Sequence, residues 1–326
     1  MARTYHWGIL GCGKIARKFS KDLQSLDNAH CYAVASRELA KAQDFADTFC
    51  FEKAYGTYLE LVEDPAVDIV YIATPHAFHL AHSLLCLEHR KAVLCEKAFA
   101  MNHREVQQMV RASKESNTFL MEAFWTRFQP QFLKVLELIK TQPLGALRFV
   151  KSDFMFNGPY DPENRLYNIG LGGGSLLDIG IYPVFYALMF LGKPDHIKTL
   201  PHFSPTGSEE SIAVLFGYNS GATAILSSSF AAQSNNLTEL CFENGYLKFE
   251  RLGTGPVHLH LNGEDQQITC EQDARLGYHL EALHVMECLD AQGIESPLLS
   301  NAFSLDLMEI LDAIRADAGI VYPGHD

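Results

Sequence analysis

The sequence predicts an α/β chain of two domains. A doubly wound parallel sheet comes first, then an α/β domain with a large open, mostly antiparallel (mixed) sheet. Three observations carry this. Apolar strand-like runs alternate with helical stretches from residue 5 to about residue 121, as in parallel strands joined by crossover helices. The alternation stops after Glu122, and from Gly145 strand-like runs follow one another without crossover helices, which pairs them antiparallel or in a mixed sheet. A length of 326 residues suits two ordinary domains, placed at 1–122 and 123–326.

Composition narrows the class. The chain is 48% hydrophobic and 20% charged, the balance of a globular protein with a sizeable core. Its formal charge of -13 argues against a general nucleic-acid or anionic-membrane binder. Neither a signal peptide nor a bilayer-length apolar run stands out, so no membrane partner is expected. The eight cysteines contain no C-x-x-C pair and no regular framework, which fits reduced thiols and a cytoplasmic location.

The first strand runs into Gly8-Ile9-Leu10-Gly11-Cys12-Gly13, and a helical pattern with Ile15, Ala16 and Phe19 follows. Gly11, Gly13 and Ala16 form G-x-G-x-x-A. That spacing makes a tight strand-to-helix turn, lets backbone approach a pyrophosphate, and allows close helix-to-strand packing. The helix start offers unpaired N–H groups and its positive dipole end to the anion. Gly11, Gly13, Lys14 and Ile15 are therefore candidate dinucleotide contacts.

The second strand, His30 to Ala35, ends at Ser36-Arg37-Glu38, where such a domain reads the adenosine ribose. A hydroxyl beside a cation suits a 2′-phosphate, so Ser36 and Arg37 favour NADP(H), with NAD(H) possible if Glu38 holds the ribose instead. The next apolar strand, Asp68 to Thr74, meets Pro75. His76, His79 and His82 follow three apart, but no carboxylate or Cys completes a ligand set, so no metal is expected. Thr74, Pro75, His76 and His79 are placed at the cofactor rim. Lys91 to Cys95 is another buried strand and delivers Glu96 and Lys97 at its carboxyl end, the ligand-binding edge of open α/β sheets. A helix over about 103–116 and a short strand over 118–121 complete the first domain.

In the second domain a helix is expected over about 130–139. Strands are expected at 147–156, 197–203, 212–218, 222–230, 237–242 and 246–249, with closing helices at about 276–291 and 302–316. Turns such as Asn219-Ser220-Gly221 and Glu243-Asn244-Gly245 suggest hairpins. Among these lies Gly172-Gly173-Gly174-Ser175-Leu176-Leu177-Asp178-Ile179-Gly180-Ile181-Tyr182. No strand immediately precedes the glycines and no Gly-Lys-Ser/Thr follows, so they are read as letting a helix start approach something bulky. Asp178 and Tyr182, four apart, share a helix face.

Taken together, Gly11-x-Gly13-x-x-Ala16, Ala73-Thr74-Pro75 with His79, Glu96-Lys97, and Gly173-Gly174-x-Leu176-x-Asp178-x-Gly180-x-Tyr182 give the chain a resemblance over nearly its whole length. It resembles the glucose-fructose oxidoreductase and inositol dehydrogenase family of NAD(P)-dependent oxidoreductases. The resemblance implies a Rossmann domain, an α/β domain with an open sheet, and an active site between them in which Lys97 and Tyr182 serve the reacting hydroxyl or carbonyl. Two departures stand out: Ala98 occupies the position where the family usually has Pro, and Tyr182 one where many members have His. Tyr182, Ser36-Arg37 and the run Met121 to Phe128 look more like the dihydrodiol dehydrogenase and NADP-linked D-xylose dehydrogenase branch. By that resemblance Trp125, Arg127 and Phe154 lie by the substrate.

The expected function is hydride transfer between nicotinamide, NADP preferred, and a C–OH/C=O group of a small cyclic sugar, polyol or vicinal diol. Tyr182 is the expected acid/base, Lys97 binds the same oxygen and favours the phenolate, and Asp178 orients them. The alternatives are a nucleotide-sensing regulator without turnover and a reductase of a non-sugar substrate. Apolar and small residues on both faces of the 212–216 and 222–230 strands leave a sheet face that needs cover, so a homodimer through the C-terminal sheet is expected.

Overall fold

Six parallel strands build the first sheet: β1 (Tyr5–Leu10), β2 (Ala29–Ala35), β3 (Lys53–Tyr55), β4 (Ile69–Ile72), β5 (Ala92–Glu96) and β6 (Leu120–Ala123). Their order is β3-β2-β1-β4-β5-β6. In the computed structural model residues 3–250, 255–271 and 275–326 are described. Strands β4, β5 and β6 are buried at every residue, as expected for parallel strands covered on both faces. Helices α1 (Lys14–Leu23), α2 (Leu39–Phe49), α3 (Tyr58–Glu63), α4 (His79–Glu88) and α5 (His103–Ser116) make the crossovers. Strand order reverses between β1 and β4, so the first Gly turn and the end of β4 lie at the switch point where such sheets bind ligands.

The chain divides into two units, Met1–Phe128 with Asp273–Leu305, and Gln129–Gln272 with Asp306–Asp326. A boundary at 122/123 assigns everything after it to one domain; the packing instead returns 273–305 to the first unit. The physical ties are specific. The buried Asp22 carboxylate accepts the N–H groups of Leu276 and Tyr278, at 3.0 and 2.8 Å, at the start of α8 (Tyr278–Asp290). The Leu120 N–H donates to the Ile294 carbonyl at 3.1 Å, extending the edge of β6.

The second unit opens with α6 (Pro130–Thr141) and holds an eight-stranded sheet. Its strands are β7 (Leu147–Met155), β8 (His196–Phe203), β9 (Glu209–Gly217), β10 (Thr223–Ser229), β11 (Leu237–Phe242), β12 (Gly245–Glu250), β13 (Val257–Leu261) and β14 (Glu264–Ile268). The order is β14-β13-β12-β11-β7-β10-β9-β8; β7 and β10 pair parallel and the other neighbours antiparallel. On β9, Ile212, Val214 and Phe216 are buried while Ala213 and Leu215 are exposed. Helix α7 (Ile181–Leu191) packs on β7 and β10. The helical run Ile169–Leu191 is long and apolar enough to cross a membrane by composition alone, yet 83% of its most apolar window is buried inside the protein, the mark of a core helix. The hairpin β13–β14 was not anticipated, although Asn262 and Gly263, with φ of 55° and 85°, are an Asn-Gly pair between two strands. The chain ends in α9 (Asn301–Ala318).

Candidate active site

The nucleotide end begins at Gly11, which has a φ of +96° and where a Cβ would sit 3.0 Å from the Ala73 carbonyl oxygen; only glycine fits. A Cβ on Gly13 would meet only that same oxygen, at 4.0 Å, so the space before the start of α1 is open. No acidic residue lies in the first turn of α1 and, among the described residues, no side chain caps it, which leaves its N–H groups to an anion. At the tip of β2, Arg37 is exposed, the Ser36 hydroxyl accepts from the Glu38 N–H at 3.4 Å, and the Glu38 carboxylate is paired with Lys41 at 2.6 Å. These features fit a dinucleotide.

At the end of β4 the Thr74 hydroxyl meets His82 Nδ1 at 3.0 Å. His79 is fully buried, with Nε2 at 2.8 Å from the Thr74 carbonyl and Nδ1 at 2.8 Å from the Ala98 carbonyl. Burial pushes its pKa down and Lys97 adds to that, against the pull of the carbonyls. A neutral ring has one N–H, so it donates to one carbonyl at a time. His76 sits edge-on to it at 5.6 Å. Among the described residues no three His, Cys, Asp or Glu side chains are grouped to hold a metal.

Strand β5 ends in Glu96, which is buried and accepts from the Tyr71 hydroxyl. Burial, with Glu96 and Glu281 nearby, drives the Tyr71 pKa well up. Glu281 on α8 is wholly buried, with neither oxygen hydrogen-bonded among the described residues; burial, then Glu96 and Asp22, raises its pKa well above the carboxylate range. Lys97 follows, half-buried, joined to Ala98 by a cis peptide bond. The Phe99 N–H donates to Glu122 Oε1 at 3.1 Å. In the same unit Trp125 lies 5.4 Å from the Tyr278 ring, and the buried Arg127 donates through Nε to the Leu298 carbonyl at 3.0 Å.

In the second unit the three glycines have a different task from phosphate binding. A Cβ on Gly173 would come within 2.7 Å of the Asn168 carbonyl, and one on Gly174 within 2.2 Å of Glu209 Oε2. What they admit is a backbone turn and a buried carboxylate. Glu209 Oε1 accepts from the Leu176 N–H at 2.6 Å, and burial raises this carboxyl to about 7 against that bond. Leu176–Gly180 then forms a π-helical turn that leads into α7. Asp178 on this turn accepts from Arg165, at 2.9 Å from Nη1 and 3.4 Å from Nη2. Tyr182 is 5% exposed, its ring edge-on to Phe154 from β7 at 5.5 Å. So Tyr182, Phe154 and Asp178 belong to one unit, and Lys97, Trp125, Arg127 and the nucleotide residues to the other.

Sequence reasoning missed Glu122, Arg165, Glu209 and Glu281. For Glu122 there was a signal: one carboxylate between Leu120-Met121 and Ala123-Phe124 in an apolar strand needs a partner. Arg165 and Glu209 had none, because they lie 13 residues before Asp178 and 33 after Leu176.

Residues 5–124 match the family described as an oxidoreductase family with an NAD-binding Rossmann fold, and residues 132–248 match the GFO/IDH/MocA C-terminal domain. The chain is 37% identical over 331 residues to a trans-1,2-dihydrobenzene-1,2-diol dehydrogenase of Danio rerio, covering 97% of each. It is 35% identical over 328 residues to the Homo sapiens protein of the same description, covering 97% of this chain and 98% of the relative. A crystal structure of a 3-ketoreductase from Actinomadura kijaniata, in complex with NADP and TDP-benzene, matches with a TM-score of 0.86 at 25% identity over 97% of this chain and 98% of the other.

Proposed function

The chain belongs to the GFO/IDH/MocA family of NAD(P)-dependent oxidoreductases, and from that premise we propose that it moves a hydride between NADP(H) and a C–OH/C=O group of a vicinal diol, small cyclic sugar or polyol. One observation carries this reading furthest: the turn that leads into the Tyr182 helix and the turn bearing Lys97 are each held by a buried carboxyl group, an investment that a nucleotide sensor without turnover does not need. Relatives over the full length are described as acting on a trans-diol, which supports the diol class.

Gly11, Gly13, Lys14 and Ile15 would hold the pyrophosphate, and Ser36 with Arg37 the 2′-phosphate. Thr74, Pro75, His76, His79 and Glu96 would border the rest of the cofactor. Pairing of Glu38 with Lys41 supports NADP over NAD, because the one acid near the ribose position is already matched by a cation. Bound nicotinamide supplies the hydride chemistry. Tyr182 gives its phenolic proton to a carbonyl oxygen in reduction and, as phenolate, takes the hydroxyl proton in oxidation. Lys97 contributes the positive charge that favours the phenolate. Arg165 fixes the Asp178 carboxylate one turn before Tyr182, and Phe154, Trp125 and Arg127 serve the substrate.

Exposed Leu200, Leu215 and Ile225 on the open face of the second sheet support a homodimer built there. The eight free thiols support a cytoplasmic setting. The test is a spectrophotometric screen of trans-diols, pentoses, hexoses and cyclitols with NADP⁺ and NAD⁺, following the reduced cofactor. Turnover of a diol or sugar, faster with NADP⁺, is expected; turnover of none in either direction overturns the reading. Light scattering should give twice the 36.4 kDa chain mass.

A further inference from the structure

The turn that carries Lys97 leaves the sheet at Glu96 and is held largely by side chains. His79 reaches the Ala98 carbonyl, the Phe99 N–H donates to Glu122 Oε1 at 3.1 Å, and the Met101 N–H donates to Glu105 Oε2 at 3.1 Å. Glu122 is tied at both oxygens: the Ser304 hydroxyl donates to its Oε2 at 2.7 Å. It is 2% exposed, on β6 directly beside Cys95 of β5. A carboxylate buried among Leu120, Met121 and Ala123 is costly unless its lone pairs are used, and here both oxygens accept a bond. One of those bonds is to the backbone two residues after Lys97.

We propose that Glu122 is a positioning residue for Lys97: by anchoring the Phe99 N–H it fixes the turn from which the ammonium group is presented. This rests on the reading of Lys97 as a group that serves the reaction. The charged groups facing Glu122 are Glu96 and Lys97, with Ser304 on the other side. Burial pushes the carboxyl up to about 7 and Glu96 adds to this, while the bonds from Ser304 and Phe99 and the charge of Lys97 oppose it. The protonated form keeps an acceptor for Phe99 and can turn its O–H to Ser304. Glutamine presents the same pair, an acceptor and a donor, so it should preserve the anchor; alanine removes it.

The experiment uses the full chain with Glu122→Ala, Glu122→Gln and Ser304→Ala, each in the wild-type and Lys97→Met backgrounds. Two readouts are followed: kcat and KM, and the rate at which the Lys97 amine is acetylated without cofactor, read by mass spectrometry. Glu122→Ala should lower kcat by about 10–100-fold, the scale of a misplaced group, while KM for the cofactor changes less than about twofold. Glu122→Gln should stay within about threefold of wild type, and Ser304→Ala should fall between the two. In the Lys97→Met background the loss caused by Glu122→Ala should vanish, since a residue acting through Lys97 has nothing left to position. Lys97 acetylation should change in Glu122→Ala and not in Glu122→Gln.

Equal impairment of the Ala and Gln variants, an undiminished loss in the Lys97→Met background, or unchanged acetylation in Glu122→Ala would each overturn the proposal. If Glu122→Ala does not fold, Ser304→Ala takes its place, and no effect there on either readout overturns it. Lys97→Met turning over at the wild-type rate would instead remove the catalytic reading of Lys97, and the acetylation rates would still decide whether Glu122 sets its position.

Discussion

The turn bearing Lys97 and the helix start bearing Tyr182 hang from buried glutamates in different ways. Glu122 accepts bonds at both oxygens and sits on a regular strand, in register with its neighbour. Glu209 holds the Leu176 N–H with one oxygen, while the other lies by Gly174 with no hydrogen-bond partner among the described residues. Nothing but glycine fits at 174, whereas the Lys97 turn runs through Ala98, Phe99 and Ala100, all fully buried. A parallel strand end can present a side chain because the sheet has already fixed its backbone. The π-helical turn is not itself a strand; it packs against β7, β9 and β10, and one buried acceptor and one missing Cβ help to set its approach.

The hardest test of that contrast is at the chemical groups themselves. Tyr182→Phe should cut kcat by about 10²–10⁴, the size of an acid/base contribution, with NADP(H) binding by fluorescence titration unchanged. A folded variant turning over at the wild-type rate would falsify the acid/base role. Next in size is Gly174→Ala, which places a Cβ against Glu209 Oε2 at a φ of +134°. It should cost about 3 kcal/mol of stability in urea unfolding, whereas Ala98→Gly on the other turn should cost about 1 kcal/mol. Comparable losses would erase the distinction between the two supports.

Arg37 is exposed at the tip of β2, so removing it probes binding more than folding. Arg37→Ala should weaken NADP(H) by about 2–3 kcal/mol in calorimetry and leave NAD(H) nearly unchanged. Equal losses for both cofactors would return the ribose to Glu38. The smallest effect concerns pH. Burial raises Glu209 from 4.5 to about 7, so the folded state binds a proton that the unfolded state has released. The stability this adds is complete below about pH 4.5 and lost as pH rises through about 7. Glu209→Gln should therefore lose about 1–2 kcal/mol less than wild type between pH 5 and 8 in denaturation curves. An identical pH slope would show that Glu209 does not titrate in the folded protein.

Much of the first unit was legible because its signals are local. The Gly11 turn, the β2 tip and the Glu96-Lys97 strand end each lie within a few residues of the element that positions them. Strands of the second sheet were also legible as β-rich runs between turn residues, as at Ile212–Phe216. What escaped were partners brought together by the fold: Arg165 on Asp178, Glu209 on Leu176, Ser304 on Glu122, Asp22 on the start of α8. Such ties carry no periodicity, so apart from Glu122, which its apolar neighbours mark, each half looks like an ordinary residue until the other arrives. The Asn262-Gly263 turn is different: the Asn-Gly pair is in the sequence, but the polar run Glu264 to Gln267 after it lacks the apolar alternation of a strand.

The tie between Asp22 and the Leu276 and Tyr278 N–H groups has a consequence for how the chain is made. The first unit leaves off at Phe128 and resumes at Asp273, so most of the second unit, Gln129–Gln272, is spliced into its middle. On a ribosome the six-stranded sheet is synthesised early, yet the helix that satisfies Asp22 and the strand-edge segment at Ile294 emerge only after the entire eight-stranded sheet. The nucleotide-binding half is begun first but completed only after the eight-stranded sheet, and the second unit's own tail, Asp306–Asp326, is made last of all.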